Sequence, residues 1–369
     1  MISLDIARHI EEFDLQVKID IQDIGITSLF GPSGSGKTTL VNIIAGLVRP
    51  DRGRIATAGR VLFDSEAGID IRPEARRLGY VFQDARLFPH MTVVRNLTYG
   101  MNLLKAQNRR IGFDEVIALL DLGHLLKRRP AQLSGGERQR VAIGRALLSS
   151  PDMLLMDEPL ASLDGPRKNE ILPFIQRLPR DLSMPVVYVS HMVEEVIRLA
   201  DEVVVLHRGR VQASGSVEEI MSRPDLAPLT GRFWAGSVLR AEVLGHDTRD
   251  DLTTLAFPGG SLVVPRLDRA PGSPVRVRIR ARDVAIALKP PEQVSVLNVI
   301  PGTVIEVVES EGGQVDLVLD IGCRLLARIT AKSRRELAIA EGTKVYAMIK
   351  AVNVDRPSIS PADQEENAA

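Results

Sequence analysis

Short apolar runs with almost no polar interruption recur through the first part of the chain: GITSLF at 25–30, MLLMD at 153–157, PVVYVS at 185–190 and EVVVL at 202–206. Runs of that length, rich in leucine and β-branched residues, predict strands buried on both faces. Between them lie stretches with helical spacing, among them KTTLVNIIAGL (37–47) and ERQRVAIGRALL (137–148). Strands of this kind separated by helices predict an α/β structure around a largely parallel sheet, reaching to about residue 232. After Trp234 the period changes to two. SLVVPRL, PVRVRIR, GTVIEVV, QVDLVLDIG and KVYAMIK follow one another with Gly and Pro between them. They predict an all-β region of small OB-like barrels. LKPPEQ (288–293) reads as a joint that divides it into an accessory segment at 233–291 and a barrel at 292–354. SVLNVIPGTVIEVVES, from Ser295 to Ser310, alternates as a half-buried strand does. DRPSISPADQEENAA predicts a disordered tail over 355–369.

Composition narrows the setting. With 44% hydrophobic and 25% charged residues the chain is ordinary for a globular protein of two or three domains. Lys plus Arg and Asp plus Glu both number 47, with no block of five like charges, so the balance offers nothing specific to nucleic acid. The single Cys323 excludes an intramolecular disulfide and suits a reducing compartment. No apolar run approaches the roughly 20 residues of a membrane span. Asp5, Glu11 and Glu12 interrupt what a signal peptide would need as an uncharged core. These features predict a soluble intracellular protein that reaches a membrane only through a partner.

The candidate chemistry is concentrated in three places. GPSGSGKTT, Gly31–Thr39, follows a predicted strand and opens a predicted helix, the context a phosphate-binding loop requires. Gly31, Gly34 and Gly36 let successive N–H groups turn into one concavity, with the helix N-terminus adding partial positive charge. Lys37 can reach β- and γ-phosphates and the Thr38 hydroxyl can ligate Mg²⁺. In MLLMDEP, Asp157 ends an apolar strand where it can hold Mg²⁺, and Glu158 is a candidate base for the attacking water. LSGGERQR sets Ser134 as an N-cap before Gly135, Gly136 and Glu137, a second anion cradle at a helix start.

With these motifs the first 230 residues resemble the ATP-binding-cassette ATPases. Gly31 to Thr38 is similar to that family's Walker A motif, with Pro32, Ser33, Ser35 and Thr39 alongside, and Met153 to Glu158 is similar to its Walker B. Ser134 to Glu137 is similar to the signature motif. The resemblance makes Gln83 the Q-loop glutamine near Mg²⁺ or the water, Asp164 a D-loop residue and His191 the switch histidine at the γ-phosphate. It places Phe13 against adenine, although a core position is an equal reading. It implies ATP and Mg²⁺ as cofactors and a head-to-tail homodimer in which one subunit's signature motif completes its partner's site. Leu87, Phe88, Pro89 and Met91 then form an expected exposed docking surface for a permease. One compact cassette followed by a β region favours an importer ATPase; a soluble, non-transport ATPase of the superfamily is the alternative.

Residues 292–354 resemble the molybdate-binding module found in molybdate-binding proteins, in molybdate-responsive regulators and in molybdate importer ATPases. SVLNVIPGTVIEV, LLARITAKSRRELAI and VYAMIKAVNV carry the likeness. It implies transport of molybdate (or tungstate), with a separate permease and an extracytoplasmic binding protein as partners, no nucleic acid, and a place at the cytoplasmic face of the cell membrane. Importers for sulfate, iron or polyamines remain the rival reading. By position Ser295, Thr330 and Lys350 are the oxyanion donors carried over. Leu297 stands where strong binders have Arg, a loss of about 1.5–3 kcal/mol if a charge-assisted donor is missing. Anion binding and a purely structural or dimer-supporting role both stay open.

Overall fold

The computed structural model describes residues 2–10, 13–57, 59–226, 229, 235–310 and 312–354. The chain divides into two compact units, 1–215 and 216–369. The boundary expected at 232 and the tail expected at 355–369 lie outside the described residues.

In the first unit the strands are β1 (Ile2–Ile10), β2 (Phe13–Ile21), β3 (Ile26–Phe30), β4 (Arg52–Thr57), β5 (Arg60–Asp64), β6 (Ile69–Asp70), β7 (Leu78–Val81), β8 (Met153–Asp157), β9 (Val186–Ser190), β10 (Glu202–His207) and β11 (Arg210–Ser216). Its helices are α1 (Lys37–Ala45), α2 (Val93–Leu103), α3 (Phe113–Leu119), α4 (Gly135–Leu147), α5 (Gly165–Asp181) and α6 (Val193–Leu199). Among the described residues the strands form one sheet in the order β6-β5-β4-β1-β2-β11-β10-β3-β9-β8-β7.

The sheet is mixed because its two ends obey different sequence rules. From β10 to β7 the pairs are parallel, and β3, β8 and β9 are buried at every residue, as the unbroken apolar runs require. At the other end β1, β2, β4, β5 and β6 are antiparallel. There Ile2, Leu4 and Ile6 alternate with polar residues and face a core shared with Leu15, Val17, Ile19, Ile21 and the apolar side of α1. This antiparallel arm was not among the strands expected. Helices α2 to α5 close over the other side in a second apolar cluster that includes Val93, Leu97, Val116, Val141, Leu147 and Ile171.

The second unit opens with α7 (Val217–Met221) and continues as β12 (Gly236–Asp247), β13 (Leu252–Phe257), β14 (Gly260–Pro265), β15 (Pro274–Arg280), β16 (Val284–Ala287), β17 (Asn298–Ser310), β18 (Gln314–Asp320), β19 (Arg324–Thr330), α8 (Ala331–Glu336) and β20 (Lys344–Ile349). The two sheets, β14-β13-β12-β15 and β16-β20-β17-β18-β19, share one apolar core containing Leu239, Leu255, Ile279, Ile300, Leu317 and Ile349. The LKPPEQ joint therefore links strands of a single sheet. Strand β17 begins at Asn298 rather than Ser295, because Asn298 pairs with Ile349, where the partner strand β20 ends. The buried Asn298 amide also accepts from Val263 N (2.6 Å) and donates to Val263 O (2.9 Å), pinning β17 to β14.

Candidate active site

Four of the motif segments emerge from the carboxyl ends of adjacent parallel strands. The phosphate loop follows β3, Gln83 follows β7, Glu158 follows β8 and His191 follows β9, and these strands lie side by side in the order β3-β9-β8-β7. Open parallel sheets gather ligands at that edge.

The loop between β3 and α1 has glycines at φ +154° (Gly31), +76° (Gly34) and +101° (Gly36). A Cβ on Gly31 would sit 2.1 Å from the Leu206 carbonyl oxygen, and one on Gly36 would meet the ring of Phe13 at 2.9 Å. Phe13 thus lies beside the phosphate loop while half-buried against the β1–β2 core. Pro32, Ser33, Gly34 and Thr38 are exposed at the rim and Thr39 is half-buried, while Ser35 and Lys37 are buried beneath. Lys37 Nζ donates to Gly31 O and Pro32 O, both at 2.8 Å, so its charge is held inside the loop. Burial pushes the Lys37 ammonium below its ordinary pKa, and the carboxylates of Glu158 and Asp157 oppose that shift.

Thr38 Oγ1 donates to Asp157 Oδ1 at 3.0 Å, and Tyr80 OH lies 3.3 Å from Asp157 Oδ2 and 3.0 Å from Asn42 Oδ1. Burial raises the Asp157 pKa, partly offset by the hydroxyls of Thr38 and Tyr80. Hydroxyl and carboxylate oxygens are the hard donors that Mg²⁺ prefers, so Thr38 and Asp157 fit that ion. Gln83 is exposed just past β7, whose pairing Val81↔Met156 brings the chain out level with Asp157. Tyr80 was not anticipated; its signal is a tyrosine within the apolar strand that pairs with MLLMD.

Glu158 adopts φ +45°, a conformation that costs a non-glycine residue roughly 1–2 kcal/mol. Its N–H donates to Val189 O at 3.1 Å, and His191 Nδ1 lies 3.1 Å from Glu158 Oε2. A carboxylate only accepts, so a hydrogen bond at that contact requires the proton on Nδ1, which leaves Nε2 for another group.

Ser134 and Glu137 sit apart from this edge. Ser134 Oγ accepts from Glu137 N at 3.2 Å and Glu137 Oε2 accepts from Ser134 N at 2.6 Å, a reciprocal cap on α4. That hydrogen bond holds the Glu137 carboxyl below its ordinary pKa. The nearest neighbour of a Cβ on Gly135 would be Leu163, and near Gly136 lie Ile171, Glu170 and Arg167. The signature segment therefore packs on the turn where Asp164 caps α5, accepting from Arg167 N at 3.0 Å.

Three of the four residues expected to be exposed at a docking surface are half-buried. Leu87 is half-buried against the core, and Phe88 is half-buried with its ring 4.7 Å from that of Tyr99. Met91 is also half-buried. The buried Asn96 amide explains this, since it accepts from Phe88 N at 2.8 Å and donates to Phe88, Met91 and Thr92 carbonyls. Of the four, Pro89 stays exposed; the large apolar residues outside are Tyr99 (46% exposed) and Leu103 (77%).

In the second unit Ser295, Thr330 and Lys350 are all exposed. Ser295 and Lys350 flank the Asn298↔Ile349 end of β17, whereas Thr330 pairs with Gln314, which pairs with Ser310 at the other end. At roughly 3.3 Å per residue the two ends of β17 are about 40 Å apart along the strand. Thr330 is engaged in capping α8, accepting from Ser333 N at 3.0 Å. One chain does not bring these three donors together.

A phosphate loop on a parallel sheet, a hydroxyl–carboxylate pair beside it and a strained Glu in contact with a His suit nucleoside triphosphate hydrolysis, and sequence likeness narrows this to the cassette ATPases. Residues 15–161 match the ABC transporter family and residues 294–355 the TOBE domain. The molybdenum import ATP-binding protein ModC of Paramagnetospirillum magneticum is 50% identical, covering 98% of this chain and 100% of that one. Its counterpart in Mesorhizobium japonicum is 52% identical over 96% of both. Among solved structures, cbiO1 of Clostridium perfringens, part of the ABC transporter complex cbiONQ, aligns with a TM-score of 0.53 and 26% identity over 62% of this chain and 92% of its own. The dimeric bacterial ABC transporter cassette MJ0796 gives 0.50 and 28% over 59% of this chain and 99% of its own. The chain belongs to the family of molybdenum import ATP-binding proteins within the ABC transporter superfamily.

Proposed function

We propose that this chain is the ATP-hydrolysing subunit of a molybdate (or tungstate) importer, working as a homodimer of cassettes beneath a separate permease. The observation that carries it is near-full-length identity of about half to the ModC proteins, together with a complete set of nucleotide motifs on one sheet edge. ATP binds along the phosphate loop, where the α1 N-terminus and Lys37 meet its phosphates. Phe13, which lies beside Gly36, stacks on adenine in this reading. Thr38, Asp157 and Gln83 would hold Mg²⁺, which when bound neutralises phosphate charge during phosphoryl transfer.

Glu158 accepts the proton of the attacking water, and His191, held by Glu158 through Nδ1, directs Nε2 towards the γ-phosphate. Ser134, Gly135 and Gly136, packed away from their own phosphate loop, serve the partner's nucleotide; Asp164 lies at the same turn. The dimer's permease contacts centre on the exposed surface around Pro89, Tyr99 and Leu103, and an extracytoplasmic molybdate-binding protein supplies the substrate. Among the described residues no helix is long and apolar enough to cross a membrane, so the permease provides the attachment to the cytoplasmic face. If the second unit holds an oxyanion, it does so between chains, where Thr330 of one can meet Ser295 and Lys350 of another.

Glu158→Gln should abolish turnover while ATP-dependent dimerisation persists, and near-normal hydrolysis would refute the base assignment. Reconstitution with the permease should give ATP-driven uptake of molybdate that excess sulfate does not suppress; the reverse preference would overturn the substrate.

A further inference from the structure

Behind the His191 turn lies a buried charge that nothing above uses. Glu195, on α6, has a side chain only 6% exposed. Its Oε1 accepts from Lys168 Nζ at 2.7 Å, and its Oε2 accepts from Tyr188 OH and Ser190 Oγ, each at 2.8 Å. The donors come from three places: Lys168 from the first turns of α5, Tyr188 from β9, and Ser190 from the residue before His191. Because Ser190 Oγ gives its proton to Glu195, its lone pair is free to accept from Met192 N, which it does at 3.0 Å. The backbone is thereby fixed on both sides of His191.

We infer that Glu195 is a positioning residue for His191, and that its ion pair with Lys168 ties the His191 turn to the helix that Asp164 caps. The carboxylate sets the direction of the Ser190 hydroxyl, the hydroxyl sets the Met192 amide, and the imidazole is presented towards Glu158 Oε2, 3.1 Å from Nδ1. Stability alone does not call for such a group. A buried ion pair is commonly replaceable by apolar residues of similar volume without loss of stability. The α5–α6 packing also has a separate polar link, Arg198 NH1 donating to Asn169 Oδ1 at 2.7 Å. What an apolar residue cannot supply is the directional acceptor for Ser190. The arrangement also makes the histidine responsive to α5, since a shift of Lys168 alters the field on the carboxylate that orients the turn.

The inference rests on the proposed role of His191, so the test treats the two separately. Steady-state ATP hydrolysis by the full chain is measured for Glu195→Leu, Lys168→Met, His191→Ala and the double variant Glu195→Leu/His191→Ala, with thermal midpoints recorded for each. Glu195→Leu is expected to lower kcat at least tenfold with KM for ATP within twofold, because the phosphate loop is untouched. The double variant should be no slower than His191→Ala alone, within twofold, because both changes remove one function. Multiplicative losses in the double variant, or an unchanged kcat for Glu195→Leu, overturn the proposal. If Glu195→Leu does not fold, Ser190→Ala replaces it with the same expectations. An unchanged kcat for Lys168→Met overturns the link to α5. A normal kcat for His191→Ala instead removes the role assigned to that histidine, an outcome distinguishable from failure of Glu195.

Discussion

The helix that starts at Lys37 is held at its other end by Arg76, and Arg76→Met should expose how much that anchor contributes. Arg76 is 1% exposed. Its NH1 donates to Ile43 O and Ile44 O at 2.8 Å, Nε donates to Ile71 O at 2.8 Å, and NH2 reaches Asp70 Oδ1 at 3.2 Å. The last carbonyls of any α-helix lack partners within the helix. Gly46 N answers Ile43 O at 3.1 Å, which leaves Ile44 O to the guanidinium. Burial depresses the Arg76 pKa while Asp70 opposes it, and the cation also sits favourably at the negative end of α1. Met keeps the stem volume but leaves the buried Ile44 O and the half-buried Ile71 O without their guanidinium donors, at about 1–2 kcal/mol each. Losing the dipole contribution adds about 0.5 kcal/mol. The sum, about 2.5–4.5 kcal/mol, corresponds to a fall in Tm of about 5–18 °C for a unit of this size. Arg76→Lys should fall between, since one ammonium cannot reproduce a fork that serves three carbonyls. Circular dichroism melts of the full chain measure this, with the exposed neighbour substitution Arg77→Met as the control. A Tm for Arg76→Met within about 2 °C of the parent, less than half the smallest expected fall, would refute the capping argument.

Tyr80→Phe keeps the ring, which stacks on Phe82 at 4.1 Å, and removes a hydroxyl from Asp157; kcat/KM for ATP should fall about tenfold, one hydrogen bond's worth, and an unchanged value would count against a role for Tyr80. Gly31→Ala puts a methyl 2.1 Å from the Leu206 carbonyl, so binding of a fluorescent ATP analogue should be lost; native affinity would show that the loop can yield. Burial and Asp320 push the Cys323 thiol up to about 11 from 9.0, so at pH 8 it should react with Ellman's reagent about 100-fold more slowly in the native chain than in denaturant, and rates within fivefold would contradict its buried setting. Glu137, whose carboxyl is depressed in the folded state, contributes stability above its ordinary value of 4.5 and loses it as pH falls through the lowered value. The parent should therefore melt above Glu137→Gln at neutral pH and converge with it under acid; a gap that persists in acid would contradict the charge argument.

The parts of the fold most legible in the sequence are those in which a local pattern has only one structural use. MLLMD and PVRVRIR coincide residue for residue with β8 and β15. Leucine and β-branched runs of that length, bounded by turn residues, have nowhere to go but a covered strand. The antiparallel arm was less legible for two reasons. Ile2, Leu4 and Ile6 alternate correctly, but the same stretch draws attention for its charges. Strands β4 to β6 are short and rich in Arg, Gly and Asp, and they are strands because β1 pairs with β4 across about 50 residues of chain, a non-local fact. The half-burial of Leu87 and Phe88 depended on Asn96, a residue whose polar type suggests exposure. Its four backbone partners make it a folded turn's centre instead.

The two units also show why motif residues translate into a site in one architecture and not in another. In the first unit four of the motifs follow strands, and all of those strands run parallel and adjacent, so being after such a strand is enough to be at one edge. Lys37, Gln83, Asp157, Glu158 and His191 are therefore gathered by topology, and only second contacts such as Tyr80 and Glu195 escape, because they act from within the strand or from the helix behind it. In the second unit the strands are antiparallel, so successive ends fall at opposite edges of the sheet. A donor type at a familiar position then fixes its edge but not its companions. Ser295 and Lys350 share one end of β17 and Thr330 belongs to the other, so within one chain the three donors stay apart.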